Sequence, residues 1–248
     1  MLVHREHRGT KSPDALQPLL SRSVWDADLI RDDLRRYVTD NLGHPGAVLV
    51  VDETGDLKKG VHIVGVQRQY TGTAGRIENS QVAVYLAYAA PSGHALIDRA
   101  LYLPASWTED PDRCEDAGMP PGTGFATKPA LATGMITAAL DAGAPASWVA
   151  GEEVYGADPT LRTTDEDRGV GYVLAIASNR RVPCGDTTLQ VDTLAAALSA
   201  RSWQRLSAGA RAHGPRIYSW AWIPIITTTT TGFACVLLRC NDTCRAVS

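Results

Sequence analysis

Hydrophobic spacing divides this chain into stretches of two different periods. From about Ser23 to Asn41, the residues Leu29, Ile30, Leu34, Tyr37, Val38 and Leu42 recur at three- and four-residue steps, which predicts a helix with one apolar stripe. Ser23 offers a cap, Asp26 and Asp28 suit the first turn, and Gly43 supplies a stop. The opposite face carries Arg31, Asp32, Asp33 and Arg35. A shorter helix over 12–21 aligns Leu16, Leu19 and Leu20.

The pattern then changes. Ala47 to Val51 is a continuous, largely β-branched run of the kind found in strands buried on both faces, and it ends in Asp52-Glu53-Thr54-Gly55. A polar turn with Lys58 and Lys59 follows, and TGTAGRIENS reads as a glycine-bearing loop. Val82 to Ala90 and Ala95 to Leu103 flank Pro91-Ser92-Gly93-His94, a hairpin signal. Residues 104–126 hold several prolines and glycines with little periodicity, as in an ordered loop.

Thr127 to Ala142 is helical, with Leu131, Met135, Ile136, Ala139 and Leu140 toward a core. Trp148-Val149-Ala150 is a short buried strand that runs into Gly151-Glu152-Glu153. A helix over Asp158–Arg168 precedes a strand over Tyr172–Ala177. Beyond Arg180 the signal weakens to a small helix and strand within 192–206 and a strand from Arg216 to Ile226. On that last strand Tyr218, Trp220 and Trp222 share one side, which favours packing within a sheet over the alternative of stacking on bases. The order of helices and strands predicts an α/β fold: a mixed sheet with helices packed on it.

Composition changes this picture little. The chain has 248 residues, 44% hydrophobic and 21% charged, enough for one large domain or two small ones. A formal charge of −3 does not announce a nucleic-acid binder, but binding depends on where charge sits. No apolar run approaches the roughly 20 residues of a membrane span, and the start of the chain is too polar for a signal peptide, so a cytoplasmic location is expected. Five cysteines without a CxxC pair do not make a zinc site: Cys114 and Cys184 stand alone, and Cys235, Cys240 and Cys244 lack a fourth ligand.

The candidate chemistry lies in carboxylates at strand ends. Asp52 closes one buried run, and Glu152 and Glu153 close another about a hundred residues on. If those strands are neighbours, the acids converge, and hard cations such as magnesium take oxygen ligands of this kind. An aspartate after a strand also serves as a turn former, and adjacent glutamates also face solvent, so spacing alone leaves both readings open.

The stretch VLVVDETGDLKKGVHIVGVQRQYTGTAGRIENSQVAVYLAYA from Val48 resembles the opening of the catalytic domain in a bacterial insertion-sequence transposase family of the DDE superfamily. WVAGEEVYG from Trp148, followed by a helix and GYVLAI, resembles its second motif, and WDADLIRDDLRRYV from Trp25 its pre-catalytic segment. The resemblance covers roughly residues 10–224. It implies an RNase H-like mixed sheet flanked by helices, with a helical segment over 1–44, a catalytic core over 45–180, and an incomplete insertion with an atypical tail over 181–248. It further implies two divalent magnesium ions, DNA with terminal inverted repeats as substrate, and a homodimer or an intact transposase as possible partner.

In that family an aspartate, a second aspartate and a glutamate bind the metals. Asp52 matches the first. Glu152 stands at the second, one methylene longer, with Glu153 as the alternative ligand. The third acid lies on a helix after the insertion, and no candidate for it is found in 225–248, so the chain is expected to stop inside the insertion, with a tail of out-of-frame character. The resemblance therefore implies metal-dependent strand cleavage and transfer in impaired or inactive form. The alternatives are a catalytically dead fragment that binds DNA or pairs with the intact enzyme, and a carboxylate hydrolase acting on sugars. Lys58, Lys59, His62, Arg68 and Arg76 form a candidate DNA-contacting group, and Arg201, Arg205, Arg211, His213 and Arg216 a second.

Overall fold

The computed structural model describes residues 22–184, 187–211, 214–225 and 234–240. Helix α1 (Ala27–Leu42) leads into strand β1 (Val48–Leu57), followed by β2 (Gln67–Thr71), β3 (Arg76–Ala90) and β4 (Gly93–Tyr102). The short helices α2 (Ala105–Thr108) and α3 (Pro111–Asp116) precede the longer α4 (Lys128–Asp141). Then come β5 (Trp148–Gly151), the one-turn α5 (Glu153–Gly156), α6 (Pro159–Asp167) and β6 (Gly171–Leu174).

These strands form one mixed sheet. β1 lies antiparallel to β3 and parallel to β5, which in turn is parallel to β6. β3 is long enough to carry two partners on its other edge: β2 pairs with its first residues and β4 with the remainder. The spatial order is therefore β4-β3-β1-β5-β6, with β2 beside the early part of β3. A mixed sheet flanked by helices agrees with the RNase H-like expectation.

Strand alternation explains the core. Leu49 and Val51 of β1, Val84, Leu86 and Tyr88 of β3, and Val149 of β5 point to one face and are fully buried. Met135, Ile136 and Ala139 of α4 pack on them, with Leu131 and Leu140 partly buried at the edge, as their spacing predicts. Thr127 caps this helix by accepting a hydrogen bond from the Ala130 N–H at 3.2 Å.

The expected hairpin is present, its strands longer than predicted, and β1 continues six residues past Val51. The TGTAG segment is the turn of a second hairpin, β2–β3, instead of an open loop. Residues 104–126, expected as a loop, contain α2 and α3 because Trp107 anchors them. Its ring is buried, its indole N–H donates to the Val66 carbonyl at 3.0 Å, and the Arg113 guanidinium lies 3.7 Å from the ring centre.

Helix α1 departs further from the reading of its pattern. Its cap is Asp26, whose carboxylate accepts from the N–H groups of Asp28 and Leu29 at 2.9 and 3.1 Å, in place of Ser23. Val38 is buried and Leu42 packs at the edge of the core, but Leu29, Ile30, Leu34 and Tyr37 are exposed, Tyr37 to 67%. The buried side is the charged one. Arg35 donates to Asp98 of β4 at 2.7 Å, with Arg31 3.7 Å from the same carboxylate. A buried carboxylate without a counter-ion costs more than an exposed leucine, so the ion pair decides which face turns inward.

Beyond β6 the strands β7 (Arg181–Cys184) and β8 (Thr187–Gln190) pair antiparallel, α7 (Val191–Ala197) follows, and β9 (Gln204–Arg211), β10 (Gly214–Ile225) and β11 (Ala234–Cys240) make a second antiparallel sheet. A separate apolar cluster of Val182, Val191, Leu194 and Ala221 joins α7 and the small strands to one face of that sheet. Tyr218, Trp220 and Trp222 alternate with Ala221 and therefore occupy the opposite face. The expectation that they pack within the sheet is corrected for Trp222, which is 65% exposed, while Tyr218 and Trp220 are half-buried. Residues 12–21 and Cys244 lie outside the described residues.

Two predictions follow from the buried charges. Asp98→Asn leaves the buried Arg35 guanidinium with the half-exposed Asp32, 3.3 Å away, and is expected to lower unfolding free energy by about 3 kcal/mol in urea titrations; a loss below about 1 kcal/mol removes the pair as the anchor of α1. Asp165 of α6 is fully buried, and neither carboxyl oxygen has a hydrogen-bond partner. Burial, then the charge of Glu166, pushes its pKa up to about 7. The ordinary value is about 3.9, so the folded chain keeps a proton that the unfolded chain has already released. The stabilisation from this site is complete below about pH 4 and is lost as pH rises through about 7. Asp165→Asn keeps the neutral shape. Parent and variant are expected to match near about pH 4, with the variant more stable by about 2–4 kcal/mol near about pH 8.

Candidate active site beside the end of a parallel strand

Two adjacent strands bring the predicted acids to one level. In the parallel β1–β5 pair, Val51 lies opposite Gly151. Asp52 and Glu152 are the next residue on each side. Asp52 projects from the face opposite Leu49 and Val51, is exposed, and accepts a hydrogen bond from the Glu53 N–H at 2.8 Å. It borders an open groove with Thr54, Tyr85 and Leu96. Glu152 is exposed at the N-terminal end of α5, and its side chain makes no capping bond there. Glu153, the first residue of α5, is exposed as well.

Glu53 has a different task. The two-residue period of β1 turns it to the core side, where its carboxylate accepts from Lys128 Nζ at 2.8 Å and from the Tyr155 hydroxyl at 2.7 Å. Lys128 is the first residue of α4, and Tyr155 belongs to the turn after β5. One carboxylate thus ties the middle of β1, where the sequence pattern placed a strand end, to the start of α4 and to the exit of β5. Sequence reasoning overlooked this group. Its signals were the second acid of Asp52-Glu53 on a strand of period two and the tyrosine inside GEEVYG.

Two glycines allow the turn to close. A Cβ on Gly151 falls 2.9 Å from Val51 Cγ1 and 3.2 Å from Tyr155 Cβ. A Cβ on Gly156 collides with the Ala175 carbonyl oxygen. The tyrosine folds back over the strand end only because both positions lack side chains.

Electrostatics reflect the same crowding. Burial pushes the Tyr155 phenol far above its usual range, the hydrogen bond to Glu53 adds to this, and the charges of Glu53, Asp52 and Glu152 act in the same direction. Tyr155 therefore stays a neutral donor at any ordinary pH.

The residues present fit a divalent ion in part. Asp52 and Glu152 offer free carboxylates at one level, the oxygen donors that magnesium takes. Glu53 is committed to Lys128 and Tyr155. Among the described residues, no three side chains of His, Cys, Asp or Glu converge as a metal-holding group.

The basic candidates lie elsewhere. Lys58 is six residues beyond Asp52, roughly 20 Å at about 3.3 Å per strand residue. It sits 3.7 Å from Asp56, Arg76 pairs with Glu78 at 2.8 Å, and Lys59, His62 and Arg68 are exposed. They cluster on the extension formed by β1, β2 and the start of β3, away from the groove.

Comparison with known proteins bears on this site. The family model described as DDE superfamily endonuclease matches residues 1–208. The probable transposase for insertion sequence element IS701 of Microchaete diplosiphon is 27% identical over 177 residues, covering 70% of this chain and 43% of that protein. The chain thus spans less than half the length of this curated relative. Among the described residues no helix is long and apolar enough to cross a membrane.

Tyr155→Phe, which keeps the buried ring and removes only the hydroxyl, is expected to cost about 1.5–3 kcal/mol in urea unfolding, because the lost bond reaches a charged acceptor. Lys128→Met is expected to cost less, about 1 kcal/mol or below, since both ends of that pair remain partly exposed. The reverse ranking would show that the tyrosine does not hold Glu53.

Proposed function

Because this chain belongs to the DDE superfamily of endonucleases, we propose that it is a transposase-type core whose Asp52 and Glu152 hold a divalent cation against a DNA phosphodiester, with cleavage chemistry that is strongly impaired. The single observation that carries this reading is the β1–β5 register, in which Val51 faces Gly151 and the next residue on each strand is acidic. A bound divalent ion supplies charge neutralisation at the phosphate and activation of a water molecule.

The chain's own residues do the rest. Asp52, braced by the Glu53 N–H, presents its carboxylate at the groove. Glu152 offers a second oxygen donor from the start of α5. The extended arm with Lys58, Lys59, Arg68 and Arg76 meets the DNA backbone at a distance, contributing affinity and orientation without taking part in the chemistry. The division into a helical segment over 1–44, a core over 45–180 and an insertion segment over 181–248 belongs to the same reading.

Impairment is supported by the length of the second acid. Glu152 carries one methylene more than an aspartate, beyond the roughly 0.5 Å tolerance of a metal-binding constellation. A displacement near 1 Å costs on the order of a hundredfold. A second reading, a DNA-holding partner of an intact transposase, is favoured by the exposed Leu29, Ile30, Leu34 and Tyr37 of α1.

The test is Mn²⁺ titration followed by calorimetry, with nicking of inverted-repeat DNA in parallel. Weak binding is expected, lost in Asp52→Asn, with nicking absent or at least a hundredfold below that of an intact relative. Glu152→Asp is expected to tighten the metal. Binding that survives Asp52→Asn would sink the metal assignment, and robust nicking by the parent chain would sink the claim of impairment.

A further inference from the structure

The β9–β11 sheet carries a feature that the strand-end site does not use. Its inner face is covered: Ala221 is buried with Val182, Val191 and Leu194, and Ile223 and Trp203 pack beside them. Its outer face bears Tyr218, Trp220 and Trp222 in a row, two residues apart, so the three rings span roughly 13 Å along the strand. Tyr218 and Trp220 meet edge to face with centres 6.0 Å apart, which orients both rings. The Arg239 guanidinium lies 4.9 Å from the Tyr218 ring centre. Trp222 remains 65% exposed at the end of the row.

Charge narrows the partner. From Ala200 to Ile225 the chain carries Arg201, Arg205, Arg211 and Arg216 and no acidic residue, in a chain whose formal net charge is −3. Arg205 pairs opposite Ser219 and so lies on the covered face, whereas Arg239 of β11 pairs opposite Trp220 on the face of the rings. An exposed ring, its half-buried neighbours and this guanidinium match a polyanion with flat π faces. Duplex DNA hides those faces within its own stack, whereas unpaired nucleotides present them.

We propose that the outer face of β9–β11 binds single-stranded DNA, stacking bases on Trp222 and its aromatic neighbours while Arg239 contacts phosphates. This surface is separate from Asp52 and Glu152, and the inference stands whether or not those residues bind metal. It applies an aromatic-lined sheet surface to unpaired bases, a recognition mode in which the rings tolerate any sequence and the charges set the salt dependence.

The test is fluorescence anisotropy of the full chain with labelled oligothymidine of about a dozen nucleotides, and with a duplex of the same length. Oligothymidine is expected to bind with an affinity that falls as salt rises. Trp222→Ala is expected to weaken it at least tenfold while changing duplex affinity less than twofold, and Trp222→Phe to restore most of the loss. Trp222 is exposed, so the variant is expected to retain the parent circular dichroism. The proposal is overturned if the parent does not bind oligothymidine, if Trp222→Ala binds it as well as the parent, or if single strand and duplex weaken together. Tighter binding of oligouridine with the same Trp222 dependence would reassign the surface to RNA and overturn the DNA assignment.

Discussion

The pairing of β1 with β5 is the constraint on which the site depends. These strands are nearly a hundred residues apart in the chain, and only four residue pairs join them. Their parallel direction and the level of Val51 with Gly151 set Asp52, still within β1, beside the residue at which the chain leaves β5. A slip of one position would turn Asp52 into the core and bring Glu53 to the groove. Burial of Leu49, Val51 and Val149 on one face makes that slip costly, so the apolar core specifies the placement of the polar site.

A second layer of constraint surrounds this pairing. The Glu53 carboxylate receives one donor from α4 and one from the turn after β5. Gly151 and Gly156 leave room for that turn to fold against the strand end. Helix, sheet and turn are thereby referred to one side chain next to Asp52. The arrangement places stabilising contacts on one face of the strand and leaves the other face open, so the groove does not have to supply the contacts that hold it together.

Much of this was legible in the amino-acid pattern, where local period and burial agree. The run Ala47–Val51, the hairpin around Pro91-Ser92 and the apolar positions of α4 all announce themselves within a short window. What remained hidden was long-range. The orientation of α1 is decided by Arg35 meeting Asp98, sixty-three positions away, and no local spacing reports that contact. The helices after Tyr102 depend on where Trp107 finds a carbonyl. The alternation in β10 showed that Tyr218, Trp220 and Trp222 share a side, but only the packing of Ala221 shows which side that is. At the site, the adjacency of the strands leading to Asp52 and Glu152 was anticipated, whereas the role of Glu53 was not, since its two partners come from different elements.

The neighbouring acids of β1 carry a lesson for interpreting mutational scans of related chains. An adjacent aspartate and glutamate invite the assumption that both serve the same ion. Here the pleat sends one outward and fastens the other inward by bonds to a lysine and a tyrosine. Replacing the inward acid would lower activity by breaking its bonds to Lys128 and Tyr155 and displacing the scaffold, with no ligand lost. Loss of activity alone would then overcount the coordinating groups by one.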